Sequence, residues 1–564
     1  MPDNYEYNLS NQPQRAAVPG RKRQFIIASR RMDSMMPPAF QPTPFEFVEQ
    51  ALRSSPEVEV VDRIGPKGLV GTLGDGMSGA PNVLVARMSG ETAELLRQQS
   101  HHQLLIEPDQ RIRLALLDAL PDFVTCAAGP DSPAMVETIS VTGHDGAPVR
   151  ASEVYLFGAI SSAKGVTGDH GEVTLTVAGE NAQSLLGLYV KPKCDYWTYY
   201  QADPILETNR PTRISLRPLS ESFAGFPKQP ALGWGQRMMR LDQLPANYRG
   251  QGVRIALLDS GAATTHQDLQ ALKFGFDVVN KRTDPATWNQ DAVSHGTHCA
   301  GIIAGAGNAG GMRGFAPEAE MHVCKLFPGG HASQLIDALE YCIEHQVDVA
   351  SLSLSGCEPS EALEQQLLRA KRLGVACIAA AGNSGGAVEY PASSPQVLAV
   401  AALGKWGEFP ADSYHARTAG LVDSAGFFSP RFTCFGPQIG LCAPGVAILS
   451  AVPPNNYAVW DGTSMAAAHV AGLAGLVLAH HPEFLTRFKL RNSARVDRLF
   501  QILAASALPA GSGDPWRTGF GLPDVPAALG LAIRPVAPQA LWAFGSLGLY
   551  RPYSQPIVQA GVAW

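Results

Sequence analysis

The chain has 564 residues, too many for one hydrophobic core, so several domains are expected. It is 45% hydrophobic and 17% charged, and its formal net charge of −6 is spread along its length, the composition of a globular protein. No basic block is long enough to imply a nucleic-acid partner, and no run of about 18 apolar residues is present, so no membrane span is expected.

In chain order, residues 1–20 are polar and rich in Asn, Gln and Pro. They are read as disordered and lack the apolar core of a secretory signal. Residues 21–115 read as a small α/β unit. Gln24–Ala28, Val58–Val61, Asn82–Met88 and Leu104–Glu107 are strand-like, Pro44–Arg53 and Gly90–Gln98 helical. Residues 134–216 differ: short β runs at Ile139–Val141, Val154–Phe157 and Glu172–Val177 are separated by turn signals, which argues for a small β-sandwich. Residues 217–232, with several Pro and Gly, read as a linker.

From about Gly233 to residue 531 near-continuous apolar strands alternate with helices. Val253–Leu258, Glu320–Leu326, Val347–Leu354, Val375–Ala381 and Val397–Ala401 are the strands, and His295–Ala304, Ala332–His345 and Ser360–Leu373 are helices. This is the pattern of an α/β, doubly wound parallel sheet covered on both faces, whose site lies beyond the strands' carboxyl ends. Residues 532–564 form a C-terminal extension that mixes Trp, Phe and Tyr with proline. The nine cysteines are odd in number and lack zinc or redox spacing. With no signal sequence, they lean towards a cytoplasmic location, or towards secretion by a route without an N-terminal signal peptide.

Four stretches carry chemistry. Asp259 ends a buried strand, where a carboxylate either serves a site or caps the next turn. His295-Gly296-Thr297-His298 opens a helix, and its His-x-x-His spacing lacks the Glu of a zinc-protease helix. Asn383 follows a strand that runs into a glycine turn. Ser464 opens an apolar helix, where a serine is either an N-cap or a group facing a cleft beside unpaired N–H donors. Together they form one chemistry: an orienting carboxylate, a base, a nucleophile and an amide donor for an oxyanion.

Asp259-Ser260-Gly261, His295 to Gly301, Ala381-Gly382-Asn383 and Gly462-Thr463-Ser464-Met465-Ala466 resemble, in order, the four signature blocks of the subtilisin-like serine proteases (subtilases). Gly314-Phe315-Ala316-Pro317, Tyr390-Pro391-Ala392 and Ala443-Pro444-Gly445 also look like family elements. The resemblance covers about Gly233 to Leu529. It implies a subtilisin-like catalytic domain with Asp259, His295 and Ser464 as the triad, and Asn383 with the Ser464 N–H as oxyanion hole. It also implies Ser353, Leu354 and Ser355 as an edge strand for extended peptide. Ala468 stands where the family usually has proline. Gly382 and Glu389 would border the primary specificity pocket, where a carboxylate favours Arg or Lys on the acyl side of the scissile bond; the alternative is that Glu389 turns into solvent.

No cofactor is required by this chemistry. Structural calcium at Asp268 and Asn308, positions that ligate it in some subtilases, is an option beside a plain turn. The α/β unit resembles the subtilase propeptide and the β-sandwich resembles the transthyretin-like domain. Because the sandwich intervenes, the α/β unit is either an intramolecular inhibitor or a permanent accessory. Arg217, Arg237 and Arg240 are candidate self-cleavage sites. The expected activity is that of a serine endopeptidase, made as a self-processed precursor and acting on protein or peptide substrates. The rival is a catalytically silent binding protein of the same fold.

Overall fold

The computed structural model describes residues 21–30, 44–65, 82–100, 103–115, 132–207, 209–308, 310–356, 358–511 and 513–531. The expectations for residues 1–20 and 532–564 fall outside them. The chain divides into two compact units, Met1–Gln110 with Ser360–Gln366, and Arg111–Pro359 with Leu367–Trp564.

In the first unit, strands Arg23–Ser29, Glu59–Ile64, Val83–Met88 and Leu104–Pro108 form an antiparallel sheet with Arg23–Ser29 and Val83–Met88 at its centre. Alternate residues Phe25, Ile27, Leu84 and Ala86 face helices Phe45–Ser54 and Gly90–Gln99 in one core, as the period-2 pattern dictates. Ser89 caps the second helix by accepting the Thr92 N–H at 3.0 Å.

The second unit begins at Arg111, not after residue 115, because residues 111–115 pair with its strands. It holds two β sheets of four and three strands. Their inner faces share a core that includes Ile139, Val141, Leu156, Leu175, Val190 and Ile214. The expected linker 217–232 is folded rather than extended. It carries a short helix at Leu219–Ser222, and the Phe226 ring packs edge-on to Tyr457 at 4.5 Å. The buried Leu219 and Phe226 side chains offset part of the backbone entropy that a free linker would keep.

The remainder is a parallel sheet in the order Phe274–Asp277, Glu320–Lys325, Arg254–Asp259, Val349–Leu352, Ala376–Ala380 and Leu398–Lys405, with Ile439–Pro444 also parallel to Leu398–Lys405. Helix Thr463–His480 packs on the four strands from Arg254–Asp259 to Leu398–Lys405 and on helix His295–Ala304. By length and composition Thr463–His480 could cross a membrane, but 89% of it is buried inside the protein, so it is a core helix.

Candidate active site

Strand Arg254–Asp259 delivers Asp259 to the carboxyl edge of the sheet, and helix His295–Ala304 begins beside it. His295 Nδ1 lies 2.7 Å from Asp259 Oδ1, and both side chains are fully buried. Asp259 Oδ1 also accepts the Ser260 N–H at 2.7 Å, which fixes the carboxylate. Helix and strand end approach so closely that a Cβ on Gly296 would lie 2.0 Å from the Gly261 carbonyl oxygen, so only glycine fits there. His295 Nε2 is buried and has no hydrogen-bond partner.

Ser464 sits in the first turn of Thr463–His480. Its Oγ donates to the Ala115 carbonyl oxygen at 2.9 Å instead of to His295. Asn383 Nδ2 donates to the same oxygen at 2.6 Å. Asn383 Oδ1 accepts the Thr463 N–H at 3.0 Å and the Thr463 hydroxyl at 2.8 Å. Only one orientation of the amide satisfies both bonds, so Nδ2 must face Ala115. The expected edge strand is paired as well. Leu354 and Ser355 run antiparallel to Leu114 and Arg113, and the Ala115 N–H donates to the Ser353 carbonyl at 3.1 Å. On the other side the Ile112 N–H donates to Gly330 at 3.0 Å. Residues 111–115 are thus held in the cleft between two stretches of backbone, with the Ala115 carbonyl against Ser464 and Asn383.

Arg217, Arg237 and Arg240 are engaged in ion pairs with Asp412, Glu408 and Asp524. The segment in the cleft is Arg111–Ala115, and none of the three arginines is in it. Glu389 turns inward. Gly382, at φ +110°, favours glycine, and a Cβ there would lie 2.7 Å from Glu389 Cδ and 2.9 Å from Cys434 Sγ. Glu389 Oε1 lies 3.7 Å from Cys434 Sγ. Helix Thr463–His480 runs unbroken through Ala468, which keeps the N–H that proline would remove.

Three residues singled out in the sequence make other contacts. His298 Nε2 lies 3.0 Å from the Ile448 carbonyl and 3.3 Å from that of Ala458, and desolvation lowers its pKa to about 3. It pins the hairpin Ile448–Val452/Asn456–Trp460 to the helix. Asp268 Oδ2 accepts the Tyr457 hydroxyl at 2.7 Å and the Met312 N–H at 2.9 Å, while Asn308 Oδ1 faces Arg249 at 3.3 Å. Oxygens turned to hydrogen-bond donors and a guanidinium do not fit a calcium shell, so Asp268 and Asn308 are not arranged as a calcium site.

Asp291 escaped the sequence reading. Its Oδ1 accepts the Ser260 hydroxyl and the Ser294 N–H, both at 2.8 Å, and its Oδ2 accepts the Thr297 N–H at 2.8 Å. It clamps the start of the His295 helix to the strand end; burial pushes its pKa up. Trp460, stacked on His298 at 4.7 Å, was also missed. Neither lies in a motif, and only a preference for Asp near helix starts could have marked Asp291.

A parallel α/β sheet with a buried Asp–His pair and a helix-borne serine at its carboxyl edge defines a serine-hydrolase class of site. The model of the subtilase family matches residues 250–507. Subtilisin DY of Bacillus licheniformis is 32% identical over 304 residues, which cover 52% of this chain and 97% of that protein. Subtilisin Savinase of Lederbergia lenta is 36% identical over 258 residues, covering 44% and 86% respectively. Subtilisin E of Bacillus subtilis (strain 168) is 36% identical over 243 residues, 42% of this chain and 58% of that relative's length. The chain belongs to the subtilase family.

Proposed function

We propose that the protein is a serine endopeptidase and that its first substrate is its own Ala115–Leu116 bond. The observation that carries this reading is the Ala115 carbonyl oxygen, which receives Asn383 Nδ2 and Ser464 Oγ while residues 113–115 pair with the edge strand. Ser464 Oγ attacks the carbonyl carbon after turning its proton to His295 Nε2, the free buried nitrogen of the imidazole. Asp259 Oδ1 holds the tautomer and stabilises the imidazolium. Asn383 Nδ2 bonds the oxyanion, an effect worth about 3–4 kcal/mol. His295 then protonates the departing Leu116 amine, and water releases the acyl-enzyme.

The cut leaves Ala115 as a carboxylate in the cleft, covalently joined to the α/β unit before it. That unit therefore serves as an intramolecular inhibitor until it dissociates or is degraded. Glu389, beside Gly382, supports a preference for Arg or Lys in other substrates. The test is N-terminal sequencing of the purified protein beside Ser464→Ala. The wild type should yield a fragment beginning at Leu116, and Ser464→Ala should stay whole. A fragment that begins after Arg217, Arg237 or Arg240, or cleavage that survives Ser464→Ala, would overturn the assignment.

A further inference from the structure

We propose that the β-sandwich is a working part of the substrate cleft, forming with the catalytic body a subsite for a bulky apolar side chain on the residue after the scissile bond. The proposal rests on the endopeptidase reading above. A cavity of about 170 Å³ is lined by Tyr189, Lys191 and Thr198 of the sandwich and by Tyr414, His415, Trp460 and Met465 of the catalytic body. Met465 directly follows Ser464, and the Trp460 ring lies 6.5 Å from that of His295, at 20° to it. Residues 111–115 pair instead with Gly330, His331 and Ser353–Ser355, which do not line the cavity. A substrate that continues past the Ala115 carbonyl must pass His295, because that imidazole protonates the departing amine. The cavity is where the leaving residues go.

Its walls suit an apolar side chain. The Tyr189 and Tyr414 rings meet at 4.4 Å across the junction of sandwich and body, and Trp460 is fixed by its stacking on His298. One polar atom in the wall is unsatisfied. His415 is 2% exposed, lies edge-on to Trp197 of the sandwich at 5.8 Å, and has Nδ1 2.7 Å from Asp461 Oδ1. Its Nε2 has no hydrogen-bond partner. Lys191, half-buried, brings its ammonium within 6.0 Å of the Trp460 ring and favours an acidic side chain further along the leaving segment. The chain's own sequence after Ala115 is Leu116-Leu117-Asp118, an apolar residue first and an acid third. The sandwich follows Ala115 in sequence, so a cut there leaves it attached to the protease.

The test uses the purified, self-processed protein and peptides with one acyl-side sequence, varied at the first leaving residue. Leu and Phe should exceed Gly in kcat/KM by about 10–200-fold. Thr198→Trp, which fills the cavity, should bring that ratio close to one. Lys191→Glu, at a half-buried position, gives an arm that does not depend on repacking. The wild type should favour Asp over Lys at the third leaving residue, and the variant should reverse the order. Equal rates for Leu, Phe and Gly in the wild type would overturn the proposal. So would a Thr198→Trp protein that still labels with a fluorophosphonate at Ser464 and keeps the full Leu preference. If the wild type neither labels nor cuts any peptide, the endopeptidase reading itself fails and takes this subsite with it.

Discussion

The two sides of Ser464 are built on different principles. On the acyl side, the groups that bond residues 112–115 are backbone carbonyls of Gly330 and Ser353, the edge strand Leu354–Ser355, the Asn383 amide and the Ser464 hydroxyl. They bond main chain, a mode of pairing that tolerates many sequences. On the other side, the walls are side chains gathered from the sandwich and from distant parts of the catalytic body. In the proposed enzyme the main-chain clamp would supply position and the side-chain pocket selection. The difference suggests where an added domain can change a protease without touching its chemistry.

The largest expected effect falls at the junction of the two sides. Asn383→Ala removes the donor to the oxyanion and leaves the edge strand in place. It should lower kcat by about 10²–10³-fold with little change in KM. The loss should be the same whether the leaving residue is Leu or Gly, because the oxyanion forms before the leaving side is released. Steady-state kinetics on both peptides decides this, and a loss confined to one of them would break the division between the sides.

The next effect concerns how the leaving side is held. His298 bonds the carbonyls of Ile448 and Ala458, in the hairpin that carries Trp460. Burial lowers its pKa from the ordinary 6.5 to about 3, so the folded protein holds it neutral. Between these values the unfolded chain binds a proton that the folded chain does not. Its contribution is therefore full above pH 6.5 and is lost as pH falls from 6.5 through about 3, by about 1.4 kcal/mol per pH unit. In a Ser464→Ala background, which prevents self-digestion, urea unfolding at pH 7, 6 and 5 should show this slope. His298→Asn keeps a donor to the carbonyls and should flatten it by that amount. An unchanged slope would mean that His298 does not hold the hairpin as a neutral ring.

Much of this architecture was legible in sequence, and the limit has a physical cause. Apolar strands such as Arg254–Asp259 announce a buried parallel sheet because both faces must be apolar. Asp259, His295 and Ser464 stand where an element ends or begins, so pattern alone places them at the sheet's carboxyl edge. The segment Arg111–Ala115 gave no signal, because it is short, carries two arginines and is strand-like only through its partners. Arg217, Arg237 and Arg240 looked like cleavage sites because sequence does not show that Asp412, Glu408 and Asp524 lie against them. His415, Trp460 and Lys191 were silent for the same reason: their neighbours are set by tertiary packing between segments far apart in the chain.

The smallest expected effect tests whether the two sides are independent. Glu389 lies under Gly382 on the acyl side, with Oε1 3.7 Å from Cys434 Sγ. A carboxylate there should favour Arg over Ala at the last acyl-side residue, by about tenfold at a partly solvated site. The chain's own residue at that place is Ala115, which forgoes such an ion pair. An intramolecular cut tolerates this, because a tethered strand has an effective concentration in the millimolar range or above. In peptides added in trans the tether is absent, so Arg should win, and Glu389→Gln should reduce its advantage about tenfold. The Leu-over-Gly preference on the leaving side should stay unchanged, as expected for sites that share no partner. If Ala is preferred over Arg in the wild type, Glu389 does not reach the substrate. If Glu389→Gln shifts both preferences, the two walls are coupled through Ser464, and the sandwich cannot act on one side alone.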